Sequence, residues 1–232
     1  MTMRNSLLTV LGSVMLLGAA LPAQAESVLR VGLGADPDML DPHLARTYYG
    51  RFVFASLCDR LVDVDENLKV VPGLAKEWTW SEDGKTLTFN LREGVTFHDG
   101  EKFDAAAAKY NLDRALTLKG SLRKSEISSV ESVEVTGPMQ IALHLKTPDA
   151  ALLMQLTDRA GAMMAPEAAK KPDFAAHPVC SGPYKFDSRV SQDRIVLTRF
   201  DNYWNKDAYH FDKIIYLPIP DASVRLANLR AG

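Results

Sequence analysis

Residues 83–100 read DGKTLTFNLREGVTFHDG and carry the strongest structural signal in the chain. Residues 87–91 alternate apolar and polar side chains, which is the period of a strand that buries one face. Asp83 and Gly84 precede this strand and follow another aromatic, alternating segment, so they predict a tight hairpin turn. The segment 97–100, Phe-His-Asp-Gly, predicts a second turn. The stretch therefore predicts a β-rich unit.

Outward from this hairpin, strand and helix patterns mix along the whole chain, which predicts an α/β (mixed) fold. We predict a helix that is capped by Asp104, and we interpret residues 165–178, with their Pro and Ala-Ala breaks, as a surface linker. The further strands are predicted at residues 28–34, 133–135, 141–145, 183–188, 194–200 and 213–218, and the helices at 48–61, 105–116, 150–158 and 222–231.

Composition excludes several classes of protein. The 232 residues are 47% hydrophobic and 24% charged, with 14 Gly and 12 Pro, so collagen-like, low-complexity and wholly disordered chains are excluded. Lys and Arg number 27 against 29 Asp and Glu. Because the charge is nearly balanced and no basic run occurs, we expect no nucleic-acid partner.

Residues 1–25 have the pattern of a secretory signal peptide. Arg4 precedes an apolar run at residues 7–21, and Ala23-Gln-Ala25 forms a small-x-small cleavage site. We expect cleavage between Ala25 and Glu26; the alternative is an uncleaved anchor. After Glu26 no apolar stretch is long enough to cross a bilayer, so we expect an exported protein that does not span the membrane.

Cys58 and Cys180 are the only cysteines. An oxidising compartment permits a disulfide between them, which would close a loop of about 120 residues; the alternative is two buried free thiols. Two cysteines without clustered histidines do not make a zinc site, so we expect no metal.

Motifs of catalysis and of cofactor binding are absent from the sequence, which has no nucleophile elbow, zincin motif, P-loop or complete dinucleotide fingerprint. We interpret His98 and Asp99 as parts of a turn rather than as an acid/base pair. We therefore expect no enzymatic activity and no cofactor.

The order of several short motifs closely resembles one family, the large periplasmic solute-binding proteins of ABC importers, in the oligopeptide, dipeptide and nickel-binding group. Each motif is weak by itself, but their order and spacing are specific. They are Leu40-Asp41-Pro42, Leu61-Val62 with Asp65, residues 72–78, residues 83–100, residues 181–186, Asn202-Tyr203-Trp204 and residues 225–232.

The resemblance implies a lobe I built from residues 26–62 and 174–232, with a β-rich subdomain inserted at 63–173. The second lobe of such proteins would be missing, which implies an N-terminal fragment. The implied function is the capture of peptides or similar small solutes in the periplasm for ABC importer membrane subunits, by a monomer. Alternatives are the same fold with a metal chelate, haem, opine or sugar as ligand, a secreted hydrolase, or a non-functional remnant.

The resemblance also implies where a ligand would bind. The loop after the first strand would line the cleft, Arg159 would follow a short helix at the cleft, and Arg123 would lie in a ligand-facing loop; a solvated position is the alternative for both arginines. No periodicity accounts for Tyr48 and Tyr49. Cys58 and Cys180 both depart from the residues usual in the family, which favours their pairing. The candidate ligand-binding residues are Asp36, Pro37, Asp38, Met39, Tyr48, Tyr49, Arg123 and Arg159.

Overall fold

The computed structural model describes residues 26–231. The expected signal peptide at residues 1–25 lies outside the described residues. Within them, no helix is long and apolar enough to cross a bilayer.

Strands and helices are mixed along the described residues, which confirms the predicted mixed α/β class. The strands are β1 (Val28–Leu33), β2 (Val62–Val64), β3 (Val70–Pro72), β4 (Ala75–Trp80), β5 (Thr86–Leu91), β6 (Val130–Gly137), β7 (Gln140–Leu145), β8 (Tyr184–Val190), β9 (Arg194–Arg199) and β10 (Lys213–Pro218). The helices are α1 (Gly50–Leu57), α2 (Ala105–Thr117), α3 (Leu152–Gln155), α4 (Pro166–Ala169) and α5 (Ala222–Ala231).

Two four-stranded sheets organise these elements. The first has the order β1-β10-β9-β8, and it joins distant parts of the chain because β1 pairs in parallel with β10, with Val28 opposite Lys213. The second has the order β4-β5-β7-β6 and is antiparallel throughout. β2 and β3 form a separate two-stranded ribbon.

The second sheet contains the hairpin predicted from residues 83–91. Trp80 pairs with Leu87 across the turn, and Gly84 has a φ of +66°, which glycine adopts without a steric penalty. Helix α2 packs on β6 and β7 of this sheet. It begins as predicted, because the Asp104 carboxylate accepts the N–H of Ala107 at 2.8 Å.

Three predictions of local structure are wrong. The helix predicted at residues 150–158 is only α3, Leu152–Gln155, because Thr157 and Asp158 then donate to the carbonyls three residues before them in tighter turns. Helix α1 ends at Leu57 rather than at residue 61, because the Leu57 carbonyl accepts the N–H of Gly182 and Cys58 is extended. Residues 165–178 are not a surface linker. They contain α4, and Ala165 and Phe174 are buried, because alanine side chains let this segment lie close against the core.

One cluster of buried apolar side chains extends through both sheets and holds them together. Helix α5 differs, since none of its side chains is buried. The loop between β1 and α1 contains six of the eight candidate ligand-binding residues.

Candidate ligand-binding site

Asp36 and Pro37, directly after β1, contact another part of the protein. The Asp36 side chain is almost fully buried, and its Oδ2 accepts hydrogen bonds from the Arg189 guanidinium and from the Gln192 N–H, both at 3.0 Å. The Pro37 carbonyl accepts a second bond from Arg189. These contacts fasten the loop to the turn between β8 and β9.

Asp38 is exposed, yet its carboxylate accepts hydrogen bonds from the residues that lie eight and nine positions further along the chain. It accepts the N–H of Arg46 at 3.0 Å, the N–H of Thr47 at 3.2 Å and the Thr47 hydroxyl at 3.1 Å. Burial raises the pKa of Asp38, but these hydrogen bonds outweigh it and hold the pKa below its usual value.

Arg123 and Arg159 lie buried beneath the same loop rather than in solvent. Arg159 donates to the carbonyls of Ala45 at 2.9 Å and Thr47 at 3.4 Å, and Arg123 donates to that of Ala45 at 3.4 Å. Neither Nε has a hydrogen-bond partner among the described residues. Burial lowers the pKa of Arg159, and the nearby charge of Arg123 lowers it further.

Three arginines and two carboxylates lie close together near the loop of residues 45–47. Arg51 contacts Asp158 at 2.5 Å, Arg159 lies 3.8 Å from the same carboxylate, and Arg123 pairs with Glu126. The group therefore carries one net positive charge, which favours an anionic partner.

Tyr48 and Tyr49 follow the loop and differ in exposure. Tyr48 is 60% exposed, and its ring lies edge-on to that of Phe52, which is 43% exposed. Tyr49 is half-buried against β1: a Cβ on Gly34 would lie 2.4 Å from its hydroxyl oxygen, so glycine is needed for this approach. Together, Tyr48 and Phe52 form an exposed aromatic surface, with the Arg51 guanidinium 5.4 Å from the Tyr48 ring centre.

Met39 lies apart from this aromatic surface. It lines a groove of about 560 Å³ whose other walls are Asp38, residues 175–177, the end of β8 and Ser191. Arg123 and Arg159 thus lie with Tyr48 at one loop, whereas Asp36, Pro37 and Met39 face the β8 side. Asp38 belongs to both, since it bonds to the loop and lines the groove.

Sequence reasoning missed a buried charge cluster next to the loop. Asp41 and Arg114 form a two-pronged ion pair with bonds of 2.7 and 3.1 Å, and Arg114 also donates to His43 Nδ1 at 3.1 Å. Asp41 and His43 are buried. The Leu-Asp-Pro motif was the available signal, but its partner lies 73 residues away on α2.

His43 should make stability depend on pH. Burial lowers its pKa to about 3, and the charges of Arg114 and Arg123 act in the same direction against the weaker influence of Asp41. In the unfolded chain a histidine pKa is about 6.5, so the unfolded state binds the proton first as pH falls. We expect the free energy of unfolding to decrease as pH falls from about 6.5 towards 3.

The variant His43→Asn should flatten this profile by about 1 kcal/mol per pH unit between pH 6 and 4, measured by urea unfolding. His98 adds to the same decline, whereas Asp59, whose pKa burial raises to about 6, opposes it between about pH 6 and 4. Leu112→Ala is the matched control: it should lower stability at every pH without changing the slope. An unchanged slope in His43→Asn would contradict the assignment.

A second buried polar group connects α1 to the segment after β9. The Asp59 carboxylate accepts the Tyr203 hydroxyl at 2.9 Å and the Trp204 indole N–H at 2.8 Å. The Arg92 guanidinium, from the end of β5, lies 3.8 Å from the centre of the Trp204 ring. This cluster is structural, since all of its groups are paired with one another.

Cys58 and Cys180 are joined by a disulfide with an S–S distance of 2.00 Å. His98 lies beside it: its Nδ1 accepts the Cys180 N–H at 3.3 Å, and its Nε2 contacts the Gly182 carbonyl at 3.0 Å. Burial lowers the pKa of His98 to about 4. Asp99 instead accepts a backbone N–H of its own turn, so the two side chains form no acid/base pair.

In residues 26–231, no group of three or more His, Cys, Asp or Glu side chains is arranged to hold a metal ion. The arrangement that the structure does offer is a loop held by hydrogen bonds to buried and exposed side chains, an exposed aromatic surface and a net positive charge. These features suit the binding of a solute.

Comparison with known proteins agrees with this geometry. The profile of a family described as bacterial extracellular solute-binding proteins, family 5 Middle, matches residues 69–232. The glutathione-binding protein GsiB of Salmonella paratyphi A is 36% identical over 217 residues, which cover 92% of this chain and 42% of GsiB.

Two solved structures have a similar fold. AgaA from A. tumefaciens R10, in complex with agropinic acid, has a TM-score of 0.80 at 30% identity over 88% of this chain and 42% of AgaA. NikA from Brucella suis, in complex with Fe(III)-EDTA, has a TM-score of 0.79 at 31% identity over 89% of this chain and 42% of NikA. The chain thus spans about two fifths of the length of these relatives. Because the family profile covers well over half of the chain, the chain belongs to the family 5 bacterial extracellular solute-binding proteins.

Proposed function

We propose that this chain is part of the substrate-binding component of an ABC importer, which captures a peptide or a similar small solute in the periplasm and delivers it to the importer's membrane subunits. Membership of the solute-binding family is the observation that carries this proposal. The same membership supports a role in binding rather than in catalysis.

The proposed ligand is a small solute with a carboxylate. Glutathione, agropinic acid and Fe(III)-EDTA, with which GsiB, AgaA and NikA are associated, all carry carboxyl groups. The net positive charge of Arg51, Arg123 and Arg159 against Asp158 and Glu126 fits such a group. The aromatic surface of Tyr48 and Phe52 would contact the apolar part of the solute.

The proposed organisation is a lobe made of residues 26–62 and 174–232 and a β-rich subdomain at 63–173. The sheet β1-β10-β9-β8 falls within the first set of residues, and the sheet β4-β5-β7-β6 falls within the second. The groups of this proposed site come from both, since the exposed Tyr48 belongs to the first set and the buried Arg123 and Arg159, which support its loop, belong to the second.

Isothermal titration calorimetry tests the ligand class. We expect binding heat from glutathione or from at least one di- to pentapeptide, and weaker binding of the same peptide with its C-terminal carboxylate amidated. Agropinic acid and Fe(III)-EDTA test the non-peptide alternative. The proposal fails if no carboxylate-bearing solute produces heat.

The variant Tyr48→Ala should weaken the binding of such a solute about tenfold, because an aromatic contact is worth roughly 1–1.5 kcal/mol. Phe211→Ala is the matched control, since Phe211 is also an exposed aromatic at 41% but precedes β10, away from the loop. Equal losses in both variants would remove Tyr48 from the binding surface.

A further inference from the structure

The backbone of residues 45–47 is held from two sides. On one side the carbonyls of Ala45 and Thr47 accept bonds from the buried Arg159, at 2.9 and 3.4 Å. On the other side the amides of Arg46 and Thr47 donate to the Asp38 carboxylate. Carbonyl groups and N–H groups of this short segment are therefore both bonded by side chains outside it, Arg159 and Asp38.

Tyr48 comes directly after this segment and is held on its far side as well. Its carbonyl accepts the N–H of Arg51 at 3.0 Å, in the turn that leads into α1. The backbone of Tyr48 is thus fixed at both ends, although its ring is exposed. An exposed aromatic ring on a fixed backbone loses little conformational entropy when a ligand contacts it.

We propose that Asp38 is a positioning residue: it fixes the Arg46–Thr47 amides and thereby holds the Tyr48 ring in place for the ligand. This inference rests on the proposed function, and it changes the role implied for Asp38 by the family resemblance, which was direct contact with the ligand.

The occupancy of the Asp38 carboxylate supports this role. Its Oδ1 accepts the Arg46 N–H at 3.3 Å, the Thr47 N–H at 3.2 Å and the Thr47 hydroxyl at 3.1 Å, and its Oδ2 accepts the Arg46 N–H at 3.0 Å. The Arg46 N–H is shared between the two oxygens, so three donors occupy the carboxylate and most of its roughly four acceptor sites are engaged within the protein. The same hydrogen bonds hold the pKa of Asp38 below its usual value, which favours the ionised, accepting form.

The test compares Asp38→Ala with Asp38→Asn in the ligand-free protein, with 3-fluorotyrosine incorporated and the Tyr48 resonance assigned from Tyr48→Phe. In Asp38→Ala we expect the Arg46 and Thr47 amides to exchange at least tenfold faster and the Tyr48 fluorine resonance to shift. Asn keeps one acceptor oxygen, so Asp38→Asn should restore part of the protection and part of the resonance position.

Asp65→Ala is the matched control. The Asp65 carboxylate likewise accepts two amides of its own turn, from Asn67 at 2.8 Å and Lys69 at 2.9 Å, but that turn joins β2 and β3. This variant should loosen its own turn and leave the Tyr48 resonance unchanged.

Calorimetry with glutathione completes the test. We expect its dissociation constant to rise three- to tenfold in Asp38→Ala and to remain unchanged in Asp65→Ala. Unchanged amide exchange, an unmoved Tyr48 resonance, or a loosened loop with unchanged glutathione affinity would each overturn the positioning role. Failure of the wild-type protein to bind any solute would reject the proposed function, whereas exchange and resonance would still decide whether Asp38 holds Tyr48.

Discussion

Reduction of the Cys58–Cys180 disulfide should lower the free energy of unfolding by about 4–5 kcal/mol. The two cysteines are 122 residues apart in sequence. Because the crosslink closes so long a loop, it removes a large amount of conformational entropy from the unfolded chain. The free energy of unfolding of an ordinary domain is about 5–15 kcal/mol, so this loss is a large part of the total.

Urea titrations with and without a phosphine reductant measure this effect. Both cysteine side chains are buried, so the reductant must be present during unfolding, when the sulfur atoms become accessible. The reduced protein should also show a steeper dependence on urea, because its unfolded chain exposes more surface. The control is the double variant Cys58→Ala/Cys180→Ala, which should not respond to the reductant. Identical unfolding midpoints of the wild-type protein in both titrations would contradict the prediction.

The variant Asp41→Ala should destabilise the protein by about 3–5 kcal/mol, because it leaves the buried guanidinium of Arg114 without its counter-charge. The side chains of Asp41 and Arg114 are only 3% and 9% exposed and are joined by two hydrogen bonds. Chemical denaturation at neutral pH measures the loss.

Asp113→Ala provides the matched comparison, since it breaks the pair with Lys109 on the same helix, whose side chains are both 40% exposed. It should cost at most about 1 kcal/mol, because water solvates the remaining charge. The double variant Asp41→Ala/Arg114→Ala should lose less stability than the sum of its single variants. Additive losses, or a small effect of Asp41→Ala, would show that this pair does not stabilise the fold.

Local patterns were sufficient to predict most secondary structure. The alternation at residues 86–91 and the Asp104 cap act within a few residues, so the hairpin and the start of α2 are confirmed. The end of α1 was not predictable in this way, since it depends on Gly182, which lies 125 residues further along the chain and donates its N–H to the Leu57 carbonyl. The alanine-rich segment 165–178 was misread because its composition suits both a loop and close packing.

The candidate site was likewise predictable only in part. Sequence reasoning selected Asp38, Arg123, Arg159 and Tyr48, but it could not show that the first three hold the loop that presents the fourth. It left out Phe52, Arg51 and the Asp41–Arg114 pair, because their significance depends on which side chains are exposed and which are paired.

By itself, the sequence determined the fold class and the family of this protein, because turn residues, alternation and motif order are encoded locally. Only the tertiary structure decided which residues of the loop after β1 are exposed and which hold the loop in place. The reason is physical: a carboxylate or a guanidinium has the same chemistry in both roles, and only its neighbours in space determine whether its hydrogen-bonding capacity is already used.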